Sequence, residues 1–308
     1  MAVQSYPRSQ QRTGRLERRE ALTFYLCISP WLLGLLLFVL GPMVASLIIS
    51  FTQWDLLSPA RFVGLQNYQK MFNGDPLIWQ SLRVTVVYTS VYVPMEMVGG
   101  LILALLMNQR LRLFGLFRTV CYLPSVLPGV AFVIVWMWIL HPDVGLLNTL
   151  LSWVGIQGPR WLADPRWALP ALLMMSLWGL GRSMVIYLAG LQSIPQYLYE
   201  AAAIDGASGW QSFWKITLPM LSPTVFFNLV LSVISTFQTF TSAFIATDGG
   251  PLDATLFYVL YLFRQAFQYF NVGYASAMAW VLFGIIFALT LLIVRSSDRW
   301  VYYEGERR

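Results

Sequence analysis

The chain has 308 residues, of which 57% are hydrophobic and only 11% charged, with 20 Lys and Arg against 14 Asp and Glu. A soluble domain carries about 25% charged residues, so this composition excludes an ordinary soluble globule and describes a chain that crosses a membrane several times. One histidine, His141, and two cysteines, Cys27 and Cys121, both in apolar runs, give little material for a metal site, a His-assisted triad or a disulfide framework.

Residues 1–20 form a basic segment with Arg8, Arg12, Arg15, Arg18 and Arg19. The apolar run 21–51 that follows is too long for a signal-peptide core of about 7–15 residues and reads as a first transmembrane helix, bent near Gly41-Pro42. Further apolar runs at 84–107, 114–140, 168–192, 220–247 and 273–295 each approach or exceed the roughly 20 residues that a helix needs to cross a bilayer. The expected fold is all-α, with six transmembrane helices over residues 21–296 and a tail over 297–308. Pro124, Pro128 and Pro223 make the third and fifth spans the least regular; in a bundle, neighbouring helices satisfy the backbone groups a proline frees.

Six spans put both termini on one side, and the Lys/Arg bias chooses which. One side carries the five N-terminal arginines, Arg110, Arg112, Arg118, Lys215, Arg295, Arg299, Arg307 and Arg308; the other carries Arg61, Lys70, Arg83, Arg160, Arg166 and Arg264. The first group is larger and lies on short segments, which makes it cytoplasmic. The net charge of +6 is then a matter of topology and membrane lipid, and no nucleic-acid partner is expected.

Between the fourth and fifth runs lies a polar island, Ser193–Pro219, reading SIPQYLYEAAAIDGASGWQSFWKITLP. Ser193 with Gln196 has the spacing of a capping box, with Pro195 in the first turn of the helix it opens. Asp205-Gly206 ends that helix, because glycine accepts the left-handed conformation of a C-terminal cap. Ser208 with Gln211 is a second capping box opening a short helix through Lys215, and Pro219 marks a second boundary. The island predicts a helix–turn–helix at a membrane surface, with Tyr197, Tyr199, Trp210, Phe213 and Trp214 offering large contact area.

Glu200-Ala201-Ala202, three residues, Gly206, nine residues, then Ile216-x-Leu218-Pro219 resembles the EAA loop of ABC-importer permeases. Phe62-Val63-Gly64-Leu65-Gln66-Asn67-Tyr68 resembles the FVGLxNY stretch of the sugar-type subclass, and Gly249-Gly250-Pro251 and Gly273-Tyr274-Ala275-Ser276-Ala277 resemble the segments around its last span. The likeness runs from about residue 22 to 296. It implies a type I importer permease fold in a bacterial cytoplasmic (inner) membrane, of the maltose and glycerol-phosphate type. It implies as partners a second permease, two ATPase subunits and an external solute-binding protein. It implies that Glu200, Ala201, Ala202, Asp205, Gly206, Ile216, Leu218 and Pro219 belong to a loop that docks on the ATPase. The only lysines, Lys70 and Lys215, are followed by Met and Ile, so the chain has no GxxxxGK[ST] phosphate loop. No cofactor is expected in this chain, ATP and Mg being bound by the partner ATPase. An enzyme is not expected, since HExxH, CxxC and GxSxG are also missing.

Ionisable groups at bilayer depth need partners or a water-filled cavity. Glu96 and Arg182 are two such groups, each open to a place on a translocation pathway or to a structural role. The fifth run carries Asn228, Ser232, Ser235, Thr236, Gln238, Thr239, Thr241 and Ser242. Some of these serve helix–helix packing; Ser235, Thr236, Gln238 and Thr239 are expected to face a cavity, where amides and hydroxyls suit a sugar. The resemblance adds Trp178 and Gly179 from the fourth span. An importer of a non-sugar solute, an ion-coupled transporter relying on Glu96, and a membrane scaffold are the competing readings.

Overall fold

The computed structural model describes residues 13–109 and 114–302. Arg8, Arg12, Arg110, Arg112, Arg307 and Arg308 lie outside the described residues, and with them most of the basic N-terminal segment and the end of the tail. Among the described residues the architecture is helical, the only strands being a two-residue antiparallel pair, β1 (Thr52–Gln53) and β2 (Arg61–Phe62). Among the described residues four helical stretches are long and apolar enough to cross a membrane, residues 18–50, 76–107, 209–246 and 272–297. Two bent pairs, 115–126 with 129–139 and 168–177 with 181–193, bring the number to six if each pair is one span.

The first long helix joins α1 (Thr13–Gly34) to α2 (Gly41–Ser50) through a π-helical turn, Leu35–Leu40. The π turn ends at the place where a bend is expected, Gly41-Pro42, and in it the Gly41 amide reaches back to the Leu36 carbonyl just ahead of the residue that has no amide to give. Helix α3 (Gln66–Asn73) packs on the bundle through the fully buried Met71, and the Asn67 side-chain amide pins the chain turn by donating to the carbonyls of Ser50 and Thr52 at 2.8 and 2.9 Å. The second span, α4 (Pro76–Met107), starts eight residues earlier than its apolar run. Asp75 caps it, accepting from the Leu77 amide at 3.0 Å, while its other oxygen accepts from the hydroxyls of Tyr261 and Tyr274 at 2.6 and 2.7 Å.

The third run is not one straight span. Helix α5 (Phe114–Val126) and α6 (Gly129–Ile139) meet at 101°, with Pro128 in an extended conformation between them. A proline pushes the residue before it out of the helical region, and Pro128 ends α5 in this way at Leu127, whereas Pro124 is carried inside α5. After α7 (Leu146–Trp153), the fourth span is α8 (Ala168–Leu177) and α9 (Gly181–Ser193), bent by 42° across Trp178–Leu180. There α9 approaches α5 so closely that a Cβ on Gly181 would stand 2.3 Å from the Cys121 carbonyl oxygen.

The fifth span, α12 (Leu218–Phe237), passes Pro223 without breaking. Pro223 leaves the Pro219 carbonyl without its usual amide, and the Ser222 hydroxyl donates to it at 2.6 Å. The same Ser222 oxygen accepts the Tyr302 amide at 2.8 Å, so the chain beyond the last span folds back on α12 and buries Val301. The true interruption is at Gln238–Phe240, before α13 (Thr241–Ala246). Helix α14 (Tyr258–Phe263) and the last span α15 (Val272–Ser297) complete the bundle. One apolar cluster centres on Tyr88, Leu172, Met175, Phe257 and Met278; a smaller one, on Met107, Tyr187, Leu191 and Leu221, lies under the loop that follows α9.

Candidate functional site

Two regions bring the expected site residues together. The first is the polar island. Helix α9 runs to Ser193, whose hydroxyl donates to the Gly190 carbonyl, and Ile194 and Pro195 are extended. The expected capping box at Ser193 therefore does not form; Pro195 itself stands at the cap of α10 (Gln196–Ile204), because the chain must leave the helical region ahead of a proline. At the other end the expectation holds in detail. Gly206 has φ +75°, its amide donates to the Ala203 carbonyl at 3.1 Å, and the Ala207 amide donates to that of Ala202 at 2.9 Å. These are the two crossed bonds of a Schellman termination. Ser208 then caps α11 (Gly209–Ser212): its oxygen accepts the Gln211 amide at 3.3 Å, and the Gln211 side chain accepts the Ser208 amide at 2.8 Å.

Helix α11 does not stop at Lys215 and Pro219 does not end it. A π-helical turn, Phe213–Thr217, carries the chain straight into α12, with Pro219 in the first turn of that helix. The Tyr199 hydroxyl meets the Thr217 hydroxyl at 2.9 Å and ties α10 to this turn. Leu198 and Ile216 pack inward on the smaller apolar cluster, and Leu218 and Pro219 are half-buried. Glu200, Ala201, Asp205 and Gly206 are exposed and Ala202 partly so, while Ile204 keeps 87% of its surface. Glu200 accepts from the Gln196 amide at 3.0 Å on its own helix. Trp210, Phe213 and Trp214 form one aromatic group with ring centres 5.5–6.0 Å apart. The result is a projection whose turn is closed from within at Gly206 and Ser208, presenting a carboxylate and apolar side chains outward.

The second region is a cavity of about 350 Å³ at the interruption of the fifth span. Ser235, Thr236, Gln238 and Thr239 all line it, with Phe240, Thr241 and Ser242. The hydroxyl hydrogens of Ser235, Thr236 and Thr239 are given to carbonyls one turn back at 2.6–3.1 Å, so these oxygens face the cavity chiefly as acceptors. Gln238 is exposed, and its side-chain amide has no hydrogen bond among the described residues, while its backbone amide donates to the Ser235 carbonyl at 3.2 Å. The opposite wall was not expected from the sequence: Tyr88 and Tyr92 from α4, stacked 5.7 Å apart, Phe132 from α6, and Ser176, whose hydroxyl meets that of Tyr88 at 2.6 Å. The signal that pointed to them is the spacing Tyr88/Tyr92, one helical turn, which the apolar composition of the run obscures.

Trp178, Gly179 and Arg182 do not line this cavity. Trp178 stacks behind it on Phe132 and Trp136, at 5.5 and 5.6 Å, and Gly179 lies in the bend. Arg182 is exposed and forms no ion pair among the described residues. Glu96 accepts from the Ser183 hydroxyl at 2.7 Å, and its second oxygen is buried without a partner. His141 is structural, its ring accepting two loop amides at 3.3 Å.

A helical membrane bundle with a self-capped two-helix projection and a polar cavity at a broken span is the anatomy of a solute permease. A family model, the inner membrane component of binding-protein-dependent transport systems, matches residues 96–302, and the chain belongs to that family. It is 46% identical over 299 residues to the probable ABC transporter permease protein YesP of Bacillus subtilis, covering 96% of both chains. It is 35% identical over 288 residues to the trehalose/maltose transport system permease protein MalF of Thermococcus litoralis, covering 92% of this chain and 96% of that one. Among solved structures, a chain of a bacterial ABC transporter that imports the acidic polysaccharide alginate superposes with a TM-score of 0.82 at 23% identity, over 94% of this chain and 99% of that one. The same transporter with an alginate pentasaccharide-bound periplasmic protein gives 0.83 at 22%, over 92% and 96%. The fold is that of an ABC-importer permease, a multi-span component of the inner membrane.

Proposed function

We propose that this subunit carries a sugar or sugar derivative across the cytoplasmic membrane, receiving it from an external solute-binding protein. A second permease completes the pathway and two ATPase subunits, which bind ATP and Mg, drive it. Both termini and the Ser193–Pro219 loop face the cytoplasm, the side given by the arginine bias. The observation that carries the reading is the loop itself: Glu200-Ala201-Ala202 and Gly206 stand exposed on a projection held by a Schellman turn and a capping box. Such a preorganised surface loses little conformational freedom when it docks, so force applied there reaches α9 and α12 with little slack. The cavity at Gln238–Phe240 is the solute's path: acceptor hydroxyls, one free amide and aromatic faces suit polyhydroxylated rings. Relatives named for trehalose/maltose, lactose and arabinooligosaccharide transport favour the sugar class.

The test is purification of the tagged subunit from its native membrane, followed by ATPase assays with the co-purified binding protein and a panel of sugars. A complex containing a phosphate-loop ATPase and a second permease, stimulated by one sugar class, is expected. A lone oligomer that moves solute on an ion gradient without ATP would overturn the reading and turn attention to Glu96.

A further inference from the structure

A second cavity, of about 680 Å³, opens between the β1–β2 hairpin, helix α3 and the start of α15. Small-molecule sites span roughly 300–1,000 Å³, so it has the size of one. Its chemistry differs from that of the cavity at the broken span, where the hydroxyls serve as acceptors and no cation stands in the described lining. Here the unspent groups are donors. Arg61 and Lys70 line the pocket, and neither pairs with a carboxylate among the described residues. The Lys70 ammonium lies 4.7 Å from the centre of the Tyr274 ring, a contact that holds the cation without a counter-charge. The acid in the described lining, Asp55, is spent on its own turn: it accepts from the Ser58 hydroxyl at 2.6 Å and from the Ser58 and Leu57 amides at 2.8 and 3.2 Å. The pocket therefore has an excess of positive charge.

The walls suit a ring. The Trp54 indole has no ring partner and no hydrogen bond among the described residues, so an aromatic face and an N–H donor are both open. Asn271 gives its side-chain amide to Gln265 at 3.0 Å, and its side-chain carbonyl has no bond among the described residues. The site is braced from behind. Gln265 donates to the Tyr261 hydroxyl at 2.8 Å, and the hydroxyls of Tyr261 and Tyr274 converge on Asp75. On the hairpin side the Trp54 carbonyl accepts the Val272 amide at 3.0 Å. Walls fixed in this way lose little freedom when a ligand enters. A lipid headgroup fits the set poorly, because Pro59 and Val63 are the only aliphatic side chains in the described lining and leave no trough for an acyl chain.

We infer that this pocket binds an acidic sugar residue, with its carboxylate on Arg61 and Lys70, the C–H face of its ring on Trp54 and a hydroxyl donating to Asn271. The inference deepens the sugar reading and rests on it for the topology that puts the hairpin outside. It makes the carried solute an anionic saccharide, whose uncharged part suits the acceptor-lined cavity at the broken span.

The test measures binding directly, by titration calorimetry on the assembled complex in nanodiscs, with neither ATP nor binding protein present. The probes are a uronic-acid disaccharide, the neutral disaccharide of the same linkage, and inorganic phosphate as competitor. The acidic disaccharide should bind at least tenfold more tightly than the neutral one. R61Q and K70M should each weaken it about tenfold, the weight of roughly one charge-assisted hydrogen bond, and the loss should shrink as salt is raised. Trp54→Ala should weaken both disaccharides. Unaltered thermal unfolding and subunit stoichiometry control for folding. Equal binding of the two disaccharides, or R61Q and K70M within twofold of the unaltered complex, would overturn the inference. So would phosphate that displaces the acidic disaccharide at equal concentration, which would leave only a general anion site. An anionic phospholipid retained by the unaltered complex in native mass spectrometry and lost from R61Q, with saccharide binding unchanged, would give the cations to lipid and overturn it as well. The importer reading is scored separately, from ATP hydrolysis with binding protein and sugars. Stimulation by neutral sugars alone, equal in R61Q, would leave the importer standing and the pocket inference overturned. No stimulation by any sugar would sink the importer reading whatever the titration gives.

Discussion

The polar island and the broken-span cavity are built in opposite ways. In the island most stabilising devices span three to five residues: Ala207 to Ala202, Gly206 to Ala203, Ser208 with Gln211, Gln196 with Glu200. Its turns and caps are therefore set locally, and the Tyr199–Thr217 hydroxyl bond and the packing of Leu198 and Ile216 tie them to the bundle. The cavity has no such autonomy. Tyr88 and Ser176, 88 positions apart, must meet at 2.6 Å before a wall exists, and Phe132 is set by the 101° turn that leads from α5 into its own helix, α6. A part that transmits force should be stiff by itself, whereas a path that must open and close should depend on how helices lie against each other. The difference predicts that mutations in the two regions fail in different ways.

The largest effect is expected where the long-range packing is tightest. Gly181→Ala puts a Cβ 2.3 Å from the Cys121 carbonyl oxygen and 2.8 Å from the Tyr122 Cα, both backbone atoms that cannot swing aside. Overpacking of this kind costs about 1–3 kcal/mol and must separate α5 from α9. The yield of folded, detergent-stable subunit and its thermal unfolding should both fall. An alanine variant that unfolds at the unaltered temperature would show that the two helices slide apart freely.

Next comes Gly206. A Cβ there meets nothing within 4 Å, so the cost of substitution is conformational alone, about 1–2 kcal/mol for an L-residue held at positive φ. That is a roughly 5- to 30-fold shift in the population of the correct turn. Gly206→Ala should leave the subunit folded and inserted while transport falls and ATP hydrolysis continues, the signature of uncoupling. Gly206→Asn should keep more transport than the alanine variant, because asparagine visits this conformation more readily. Equal transport by both variants and the unaltered protein would remove the turn from the mechanism.

The same division decides what could be read from the sequence. The island was legible because its devices are local: the Asp205-Gly206 stop and the Ser208/Gln211 box are where their spacing puts them. The misreadings are also local and concern proline. Ser193 has the right neighbour for a cap, yet Pro195 takes the chain out of the helix first. Pro223 and Pro219 look like boundaries, yet a serine hydroxyl and a π-helical turn absorb them. The break that matters, Gln238–Phe240, carries neither glycine nor proline. Of the cavity, the face supplied by the fifth span was legible from its density of hydroxyls and amides. Tyr88, Tyr92, Phe132 and Ser176 were not, since only the packing of α4, α6 and α8 against that span makes them neighbours.

A smaller effect is expected from Gln238→Ala. The side chain is exposed to the cavity and bonds nothing in the described structure, so its removal should not change thermal stability. The loss of one hydrogen bond to solute is worth about 0.5–1.5 kcal/mol, which raises the KM for transport roughly two- to tenfold with coupling intact. Thr236→Val should do less to the KM and more to the helix, because the Thr236 hydroxyl is buried and committed to the Ser232 carbonyl at 2.6 Å. A KM that responds to Thr236 and ignores Gln238 would reverse the assignment of which group greets the solute.

The smallest effect, and the sharpest probe of local autonomy, is at Ser208. Its replacement by alanine removes one half of the capping box, a loss of about 1 kcal/mol at a helix terminus. If α10 and α11 were held only by their own ends, that loss would loosen the projection nearly as much as a change at Gly206. But the Tyr199–Thr217 hydroxyl bond at 2.9 Å and the inward packing of Ile216 bind the projection to the bundle at a second point. Ser208→Ala alone should therefore reduce transport by less than about twofold, and Tyr199→Phe alone by a similar amount. The double variant should lose more than the two losses combined, because each restraint hides the absence of the other. Simple additivity in transport assays would mean that the two restraints act on different motions, and the projection would then have to be treated as two hinged pieces.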